Sequence, residues 1–75
     1  MRKIVEAEIL SEGRTKLKIT LSNGAIIVGY SKGIMPAFDD DGEELDEDVL
    51  AFDACVPKAF FMLKDEDIKQ VEKAT

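Results

Sequence analysis

The clearest pattern in the chain is a pair of apolar runs on either side of the Ser-Asn-Gly at positions 22–24. In the first run, Leu17, Ile19 and Leu21 alternate with polar residues, which is the period-two pattern of a half-buried strand. The second run, residues 25–28, is continuously apolar and mostly β-branched, which is typical of a strand covered on both faces. Asn-Gly between such runs is a strong hairpin signal, because a type I′ turn needs positive φ at both central residues. The sequence therefore predicts a β-hairpin with a type I′ turn.

Two glycines, Gly29 and Gly33, bracket the far end of the second apolar run. Glycine within a strand permits a bulge or a sharp bend. A sheet needs such bends if it is to curl into a small barrel. We therefore expect the second strand to bend at these positions.

Two more strands are predicted in the C-terminal half, over residues 49–56 and 59–63, separated by Pro-Lys. Residues 31–38 lack any periodicity and contain Pro36, which cannot donate a ladder hydrogen bond. We expect a strand end or a loop there.

The two ends of the chain are ambiguous. In residues 2–10, apolar residues alternate with glutamates, which favours a strand, but Glu and Ala are also good helix formers and leave a short helix open. Residues 64–67 predict a turn with N-cap character at Asp65. Residues 67–73 are consistent with either a helical turn or a short edge strand.

Together these elements predict one small domain over residues 1–75. Four or five short antiparallel strands with few helix candidates are typical of a mainly β, strongly bent barrel, with a short terminal helical turn still open.

Charge is unevenly distributed along the chain. The net charge is −6, and residues 1–36 carry six basic against three acidic side chains. Eight acidic side chains fall within residues 39–48. Because like charges repel, such a block is most often a solvated loop. We therefore expect an acidic loop at about residues 38–48 on a body close to neutral.

Catalysis by the common nucleophile pairs is excluded. The chain has no histidine, so no Ser-His or Cys-His pair can form. The single cysteine, Cys55, cannot form an internal disulfide, and it lies beside Asp53 with no cationic neighbour to activate its thiol. Carboxylates in a solvated loop lack the burial that a general acid needs. We expect no enzyme activity.

The sequence also argues against membrane insertion. No apolar run reaches the roughly 18 residues that a spanning helix needs, and the N-terminus lacks the pattern of a signal peptide. We therefore expect a cytoplasmic protein that does not insert into a membrane.

The acidic loop carries an incomplete calcium-loop pattern. Asp39, Asp41 and Gly42 match positions three, five and six of an EF-hand loop. Position one would be Ala37, which has no side-chain ligand, and position twelve is Asp48 rather than a bidentate Glu. We therefore expect no metal site and no cofactor; a loose Ca²⁺ or Mg²⁺ site formed by the loop carboxylates is the weaker alternative.

A small basic patch is the main candidate for binding a nucleic acid or a partner. Lys16 and Lys18 share one strand face, and aromatic side chains nearby are possible stacking platforms. The acidic loop would oppose phosphate contacts, which dominate nucleic-acid affinity; an ordinary polar strand face is the favoured interpretation. The candidate residues are Arg14, Lys16, Lys18, Tyr30, Lys32 and Phe38.

An apolar patch is predicted on the opposite half of the chain. Phe60 and Phe61 are adjacent, so in a strand they point to opposite faces. One of them must therefore lie outside the core, where Met35 and Met62 would join it in a patch typical of a subunit interface. The sequence thus predicts self-association.

A short lead, the first hairpin, a loop, two further strands and a closing segment follow one another in a recognisable order. The characteristic positions are Asn23, Gly24, Gly29, Asp67, Ile68, Lys69, Val71 and Glu72. This arrangement resembles the Sm-like (LSM) family, in particular the small Sm-like domain proteins of Firmicutes bacteria. The resemblance covers residues 14–73, mostly as hydrophobic pattern, and other SH3-like small barrels share this outline.

The resemblance implies a strongly bent five-stranded barrel, rings formed through edge strands, and binding of uridine- or adenine-rich RNA. The family's Asp-x-x-Met-Asn pattern is absent after Phe38, and its later Arg-Gly pair is absent near residues 56–58. No family binding residue is carried over to this chain.

We therefore expect a non-catalytic interaction module that self-associates and binds another protein. The alternative is an Sm-like protein that binds RNA through the Lys16 and Lys18 face and Tyr30.

Overall fold

The computed structural model describes residues 2–74. A helix, five strands and a 3₁₀ turn follow one another as α1 (Lys3–Leu10), β1 (Leu17–Leu21), β2 (Ile26–Phe38), β3 (Glu44–Val56), β4 (Lys58–Leu63), the 3₁₀ turn (Asp65–Asp67) and β5 (Ile68–Lys73). All strand pairs are antiparallel and form one sheet in the order β4-β3-β2-β1-β5. The prediction of a small, mainly β, antiparallel domain is confirmed. Within residues 2–74 no pairing joins β4 to β5, so the sheet is open along these two edges.

The predicted β1–β2 hairpin is present, but its turn differs from the prediction. The Gly24 N–H donates to the Leu21 carbonyl at 2.9 Å, and Gly24 has a φ of 92°. Asn23 is not in the left-handed region; its side-chain oxygen instead accepts the N–H of Ala25 at 2.9 Å. This side-chain bond and a single left-handed glycine close the turn, so the type I′ prediction was wrong.

Bulges occur at both glycines of β2, as the sequence predicts. The β2–β3 register shifts between Val28 and Gly29 and again between Ser31 and Gly33. At Gly29 the two backbones approach so closely that a Cβ atom would lie 2.2 Å from the carbonyl oxygen of Asp53. A residue with any side chain would therefore force β2 and β3 apart.

Strands β2 and β3 are both longer than predicted. β2 continues to Phe38, so the expectation of a strand end or loop over residues 31–38 was wrong. Beyond Gly29, β2 pairs with β3 alone, and an edge position of this kind tolerates the missing N–H of Pro36. The acidic stretch is loop only to residue 43, because Glu44 already begins β3.

Residues 3–10 form a helix, so the favoured strand prediction was wrong and the helical alternative was right. Ile4 and Ala7, one helical turn apart, are fully buried, whereas Ile9 is 55% exposed. This spacing matches a helix face and not the alternation that suggested a strand. α1 packs against β5, β2 and the 3₁₀ turn.

A long-range cap holds the start of α1. The Ile4 N–H donates to Oδ1 of Asp65 at 3.1 Å. The N-cap character expected at Asp65 is therefore used by a different helix, sixty-one residues earlier in the chain.

β5 resolves the second ambiguity in favour of an edge strand. Ile68 and Val71 are both buried although they are three residues apart. A register shift against Thr20 and Leu21 of β1 inserts one extra residue, which turns both side chains towards the core.

One core lies between α1 and the concave set of strand side chains. Its members are Ile4, Ala7, Leu17, Ile19, Ile27, Leu50, Phe52, Ala54, Leu63, Ile68 and Val71. No helix within residues 2–74 is long and apolar enough to cross a membrane.

Candidate functional site

A cleft of about 640 Å³ opens where the end of α1, the α1–β1 loop and the middle of β2 meet. The helix contributes Glu8, and the loop contributes Ser11, Arg14 and Thr15. The rest of the lining is the consecutive β2 segment of residues 30–33. A polar cleft of this volume lies within the range of small-molecule sites.

The structure brings together part of the predicted basic patch. Arg14, Tyr30 and Lys32 line the cleft. The ammonium of Lys16 lies 5.9 Å from the centroid of the Tyr30 ring, within the range of a cation–π contact. Four candidate residues therefore lie at or beside one cleft.

The other two candidates lie elsewhere. Nζ of Lys18 is 3.6 Å from a carboxylate oxygen of Glu72 on the neighbouring β5, so its charge is partly compensated. Phe38 is the last residue of β2 and pairs with Glu44 at the start of the acidic segment. Neither residue lines the cleft.

Several cleft residues were missed by the sequence analysis. Glu8, Ser11 and Thr15 reach the cleft only because residues 3–10 are helical, which turns the end of α1 towards β2. The available signal was the helix propensity of the Glu- and Ala-containing N-terminus.

The serine and threonine hydroxyls of the cleft already have acceptors. Ser31 Oγ donates to Oε1 of Glu8, and Ser11 Oγ donates to the Glu8 carbonyl at 2.9 Å. Thr15 Oγ1 donates to the Glu12 carbonyl at 3.0 Å. Among the other side chains that line the cleft, the Arg14 and Lys32 cations and the Tyr30 hydroxyl donate no hydrogen bond within residues 2–74.

Arg14 occupies an unfavourable backbone conformation. Its φ is 64°, the one positive value at a non-glycine residue within residues 2–74. The left-handed region is costly for a residue with a Cβ atom, and Gly or Asn would suit it better. Strain of this kind is found preferentially at functional positions.

A second region of interest is the acidic arm, which we define as residues 38–48. Every residue of the acidic arm is exposed, including Phe38 at 58% and Leu45 at 40%. Oδ1 of Asp39 closes the turn by accepting the N–H groups of Asp41 and Glu43 at 2.9 and 2.8 Å. This carboxylate therefore has a structural role.

Few of the remaining carboxylates of the acidic arm have cationic partners. Asp48 pairs with Arg2 at 3.6 Å, and Glu47 pairs with Lys64 at 3.2 Å. The hydrogen bond and the charge of Glu47 raise the pKa of Lys64 above its ordinary value. Besides Asp39, five acidic side chains of the acidic arm have no ion-pair partner within residues 2–74: Asp40, Asp41, Glu43, Glu44 and Asp46.

No metal centre is evident in this part of the molecule. Within residues 2–74, no three or more His, Cys, Asp or Glu side chains are gathered so that they could hold an ion.

The third region is the edge strand β4. Phe61 packs against the core, whereas Phe60 is 59% exposed and Met62 is 45% exposed. Phe60 pairs with Asp53, and Met62 pairs with Ala51, so both lie on the face opposite Phe61. The prediction that one of the two adjacent phenylalanines points outward is thus confirmed.

Met35 joins this outer face from β2. Met35 pairs with Val49, which precedes the core residue Leu50 and therefore points to the opposite face of the sheet. The Met35 side chain is 38% exposed. The free thiol of Cys55 is exposed on the neighbouring strand β3.

Comparison of the chain with protein-family models, curated proteins and solved structures finds no match.

Proposed function

We propose that this chain is a non-catalytic interaction module: a bent sheet of the Sm-like or SH3-like barrel kind that self-associates and binds another protein. The observation that carries the proposal is the edge strand β4, which has one strand neighbour and exposes Phe60 and Met62 on its outer face.

An edge strand with exposed apolar side chains is a ready template for pairing with another chain. Within residues 2–74, β4 pairs only with β3, and β5 pairs only with β1. Each copy therefore offers two open edges on opposite sides of its sheet. Pairing of β4 in one copy with β5 in the next is a heterologous contact, which generates closed rings or open filaments.

The apolar outer face supports the same conclusion. Phe60, Met62 and Met35 would lose solvent exposure if a second copy covered β4 and its neighbours. Apolar burial stabilises association by roughly 25 cal/mol per Å² before entropic costs. In a domain this small, oligomerisation is a common source of additional stability.

Self-association is tested by measuring solution mass by light scattering across a concentration series. We expect a mass above the 8.3 kDa of one chain, and dissociation in Phe60→Lys. Phe38→Lys is the matched control, because Phe38 is equally exposed (58% against 59%) but lies on the acidic arm. A strictly monomeric wild-type protein at the highest concentration would overturn the proposal.

For the partner protein, the acidic arm is the candidate surface. Its unpaired carboxylates select a basic partner by charge complementarity, and exposed Phe38 and Leu45 supply apolar contacts. Titration with an amphipathic lysine–leucine peptide should shift NMR signals of the acidic arm, and Phe38→Ser should weaken binding. Equal binding of a glutamate–leucine peptide would contradict this assignment.

The second candidate function is oligonucleotide binding, as the resemblance to Sm-like proteins implies. One observation favours it: Arg14, Tyr30 and Lys32 line one cleft. Fluorescence anisotropy with labelled oligo-U and oligo-A should then show binding that weakens with salt. Binding that is unchanged in the Lys16→Glu and Lys18→Glu double variant would remove the predicted strand face from this function.

A further inference from the structure

We propose that the cleft between α1 and β2 binds a small phosphate ester that carries hydroxyl groups beside its phosphate, as a sugar phosphate does. This inference goes beyond self-association and does not depend on it. It uses the same cleft as the oligonucleotide candidate, and the experiment below separates the two.

The cations of the cleft provide the phosphate subsite. Arg14 and Lys32 line the cleft, and neither forms an ion pair within residues 2–74. A guanidinium fork matches the geometry of phosphate oxygens, and an ammonium adds a point charge. The hydroxyl hydrogens of Ser11, Thr15 and Ser31 are already donated to protein acceptors, so anion binding falls to these two cations and the Tyr30 hydroxyl.

Glu8 adds a carboxylate to a cleft that also contains cations, and we call this combination a two-sided site. Its Oε1 accepts from Ser31, while its Oε2 accepts no hydrogen bond from residues 2–74. A carboxylate at this position disfavours a bare phosphate dianion by like-charge repulsion. A free acceptor oxygen favours a ligand that offers O–H donors next to its phosphate. A phosphate with neighbouring hydroxyls satisfies both the cations and the carboxylate that line the cleft.

The surroundings of the Tyr30 ring argue against a stacked base as the main determinant of ligand binding. The ammonium of Lys16 already lies over one face of the ring. A base stacking on that face would have to displace a cation that also favours the phosphate. The polar contacts of sugar and phosphate are thus the better match.

Arg14 supports the assignment independently of the cleft lining. Its φ of 64° is strained for a residue with a side chain. Asn would relieve this strain and remove the charge, so the chain keeps an arginine where stability alone favours another residue. Places where a local rule is broken in this way are expected to be functional.

The test is a titration of the full chain with ribose 5-phosphate, inorganic phosphate and ribose, followed by amide NMR shifts and calorimetry. We expect shifts concentrated at residues 30–33 and tighter binding of ribose 5-phosphate than of either fragment. Arg14→Asn should weaken that binding by about tenfold or more, the usual cost of losing a charge-assisted hydrogen bond. Its melting temperature should be unchanged or higher. Lys58→Gln, an exposed lysine outside the cleft, is the control and should bind normally.

Glu8→Gln supplies a second readout that a purely structural role would not move. It should strengthen binding of inorganic phosphate and reduce the preference for ribose 5-phosphate. Equal affinities of the wild-type protein for inorganic phosphate and ribose 5-phosphate would overturn the two-sided site, as would unchanged binding in Arg14→Asn.

A parallel titration with 5′-phosphorylated and unphosphorylated oligo-U distinguishes the source of the phosphate. Binding of both oligonucleotides without any binding of ribose 5-phosphate would overturn this inference and support the oligonucleotide candidate. Binding of ribose 5-phosphate without binding of either oligonucleotide would support the inference and remove that candidate. Binding of ribose 5-phosphate and of the phosphorylated oligonucleotide alone would place a terminal phosphate in the cleft.

Discussion

The same two strands, β2 and β3, run through two very different environments. Over residues 49–54 of β3, five of six side chains are buried. Over the preceding residues 44–48, of which Glu44 and Asp48 pair with the end of β2, all five are exposed. The backbone ladder continues across this boundary, but the burial of side chains stops.

The difference lies in what covers the sheet. α1 and β5 extend the core over the first half of β2 and the second half of β3, where Ile27 and Phe52 are buried. Within residues 2–74, the acidic arm has no second strand neighbour, and all of its residues are exposed. Its structure therefore depends on hairpin pairing and the Asp39 turn. The rest of the molecule, which we call the body, depends on apolar burial. We infer that the body determines stability and that the acidic arm is free to serve recognition.

The most direct test of this difference between the body and the acidic arm is to truncate one phenylalanine in each region. Phe52 is fully buried and Phe38 is 58% exposed. Phe52→Ala should cost about 3–5 kcal/mol of unfolding free energy, as large-to-small core substitutions do. Phe38→Ala should change it by about 0.5 kcal/mol or less. Urea denaturation measures both; similar losses would show that the acidic arm contributes to the core.

A glycine in each region gives the next largest contrast. Gly29→Ala would place a Cβ atom 2.2 Å from the Asp53 carbonyl oxygen, and the overpacking should cost about 3 kcal/mol. Gly42 has a φ of 83°, and a Cβ atom at this position would lie more than 4 Å from every atom of residues 2–74 other than its chain neighbours. Because Asn tolerates the left-handed region, Gly42→Asn should be close to neutral. Thermal unfolding that ranks Gly42→Asn as the worse variant would contradict the assignment of close packing to the body.

We expect an intermediate loss of stability when the hydrogen-bonded cap between the 3₁₀ turn and α1 is removed. Asp65→Ala removes the acceptor for the Ile4 N–H and should cost about 1 kcal/mol, the usual worth of an N-cap. Hydrogen exchange should then increase in α1 before it increases in β2 and β3. Glu66→Ala is the control, because the Glu66 side chain makes no hydrogen bond within residues 2–74. Equal exchange in the two variants would argue against the cap.

The smallest expected effect is the pH dependence of the ion pair between Glu47 of the acidic arm and Lys64, the residue that follows β4. The hydrogen bond and charge of Glu47 raise the pKa of Lys64 in the folded state. The resulting stabilisation is therefore present while Lys64 is protonated and is lost as the pH rises through that raised pKa. From about pH 10 upwards, wild-type melting temperature should fall slightly more steeply than that of Glu47→Gln. Parallel curves would show that the pair contributes nothing, as many exposed pairs do.

Local patterns predicted the body well and the chain ends poorly. Strict alternation located β1, and the glycine bulges of β2 were predicted from the known use of glycine in bent strands. Residues 2–10 carried two competing patterns, and only the packing of Ile4 and Ala7 against β5 and β2 selects the helix. In β5, the burial of both Ile68 and Val71 needs a bulge whose cause lies in the pairing with β1, far away in sequence.

The residues of the candidate cleft also divide into those that the sequence predicts and those that it does not. Arg14, Tyr30 and Lys32 could be selected from the sequence as polar or aromatic residues around the first hairpin. Glu8 could not be selected in this way, because it reaches the cleft only as part of α1, and the alternating pattern of residues 2–10 favoured a strand.

The sequence by itself determined the hairpin, the positions of the bends, the uneven charge and the absence of histidine chemistry, because these depend on residue identity and near neighbours. Only the tertiary structure decided the helical N-terminus, the extent of the acidic arm, the outward side of β4 and the grouping of the cleft. Each of these depends on which surfaces lie opposite one another, and that pairing is set by burial across distant parts of the chain.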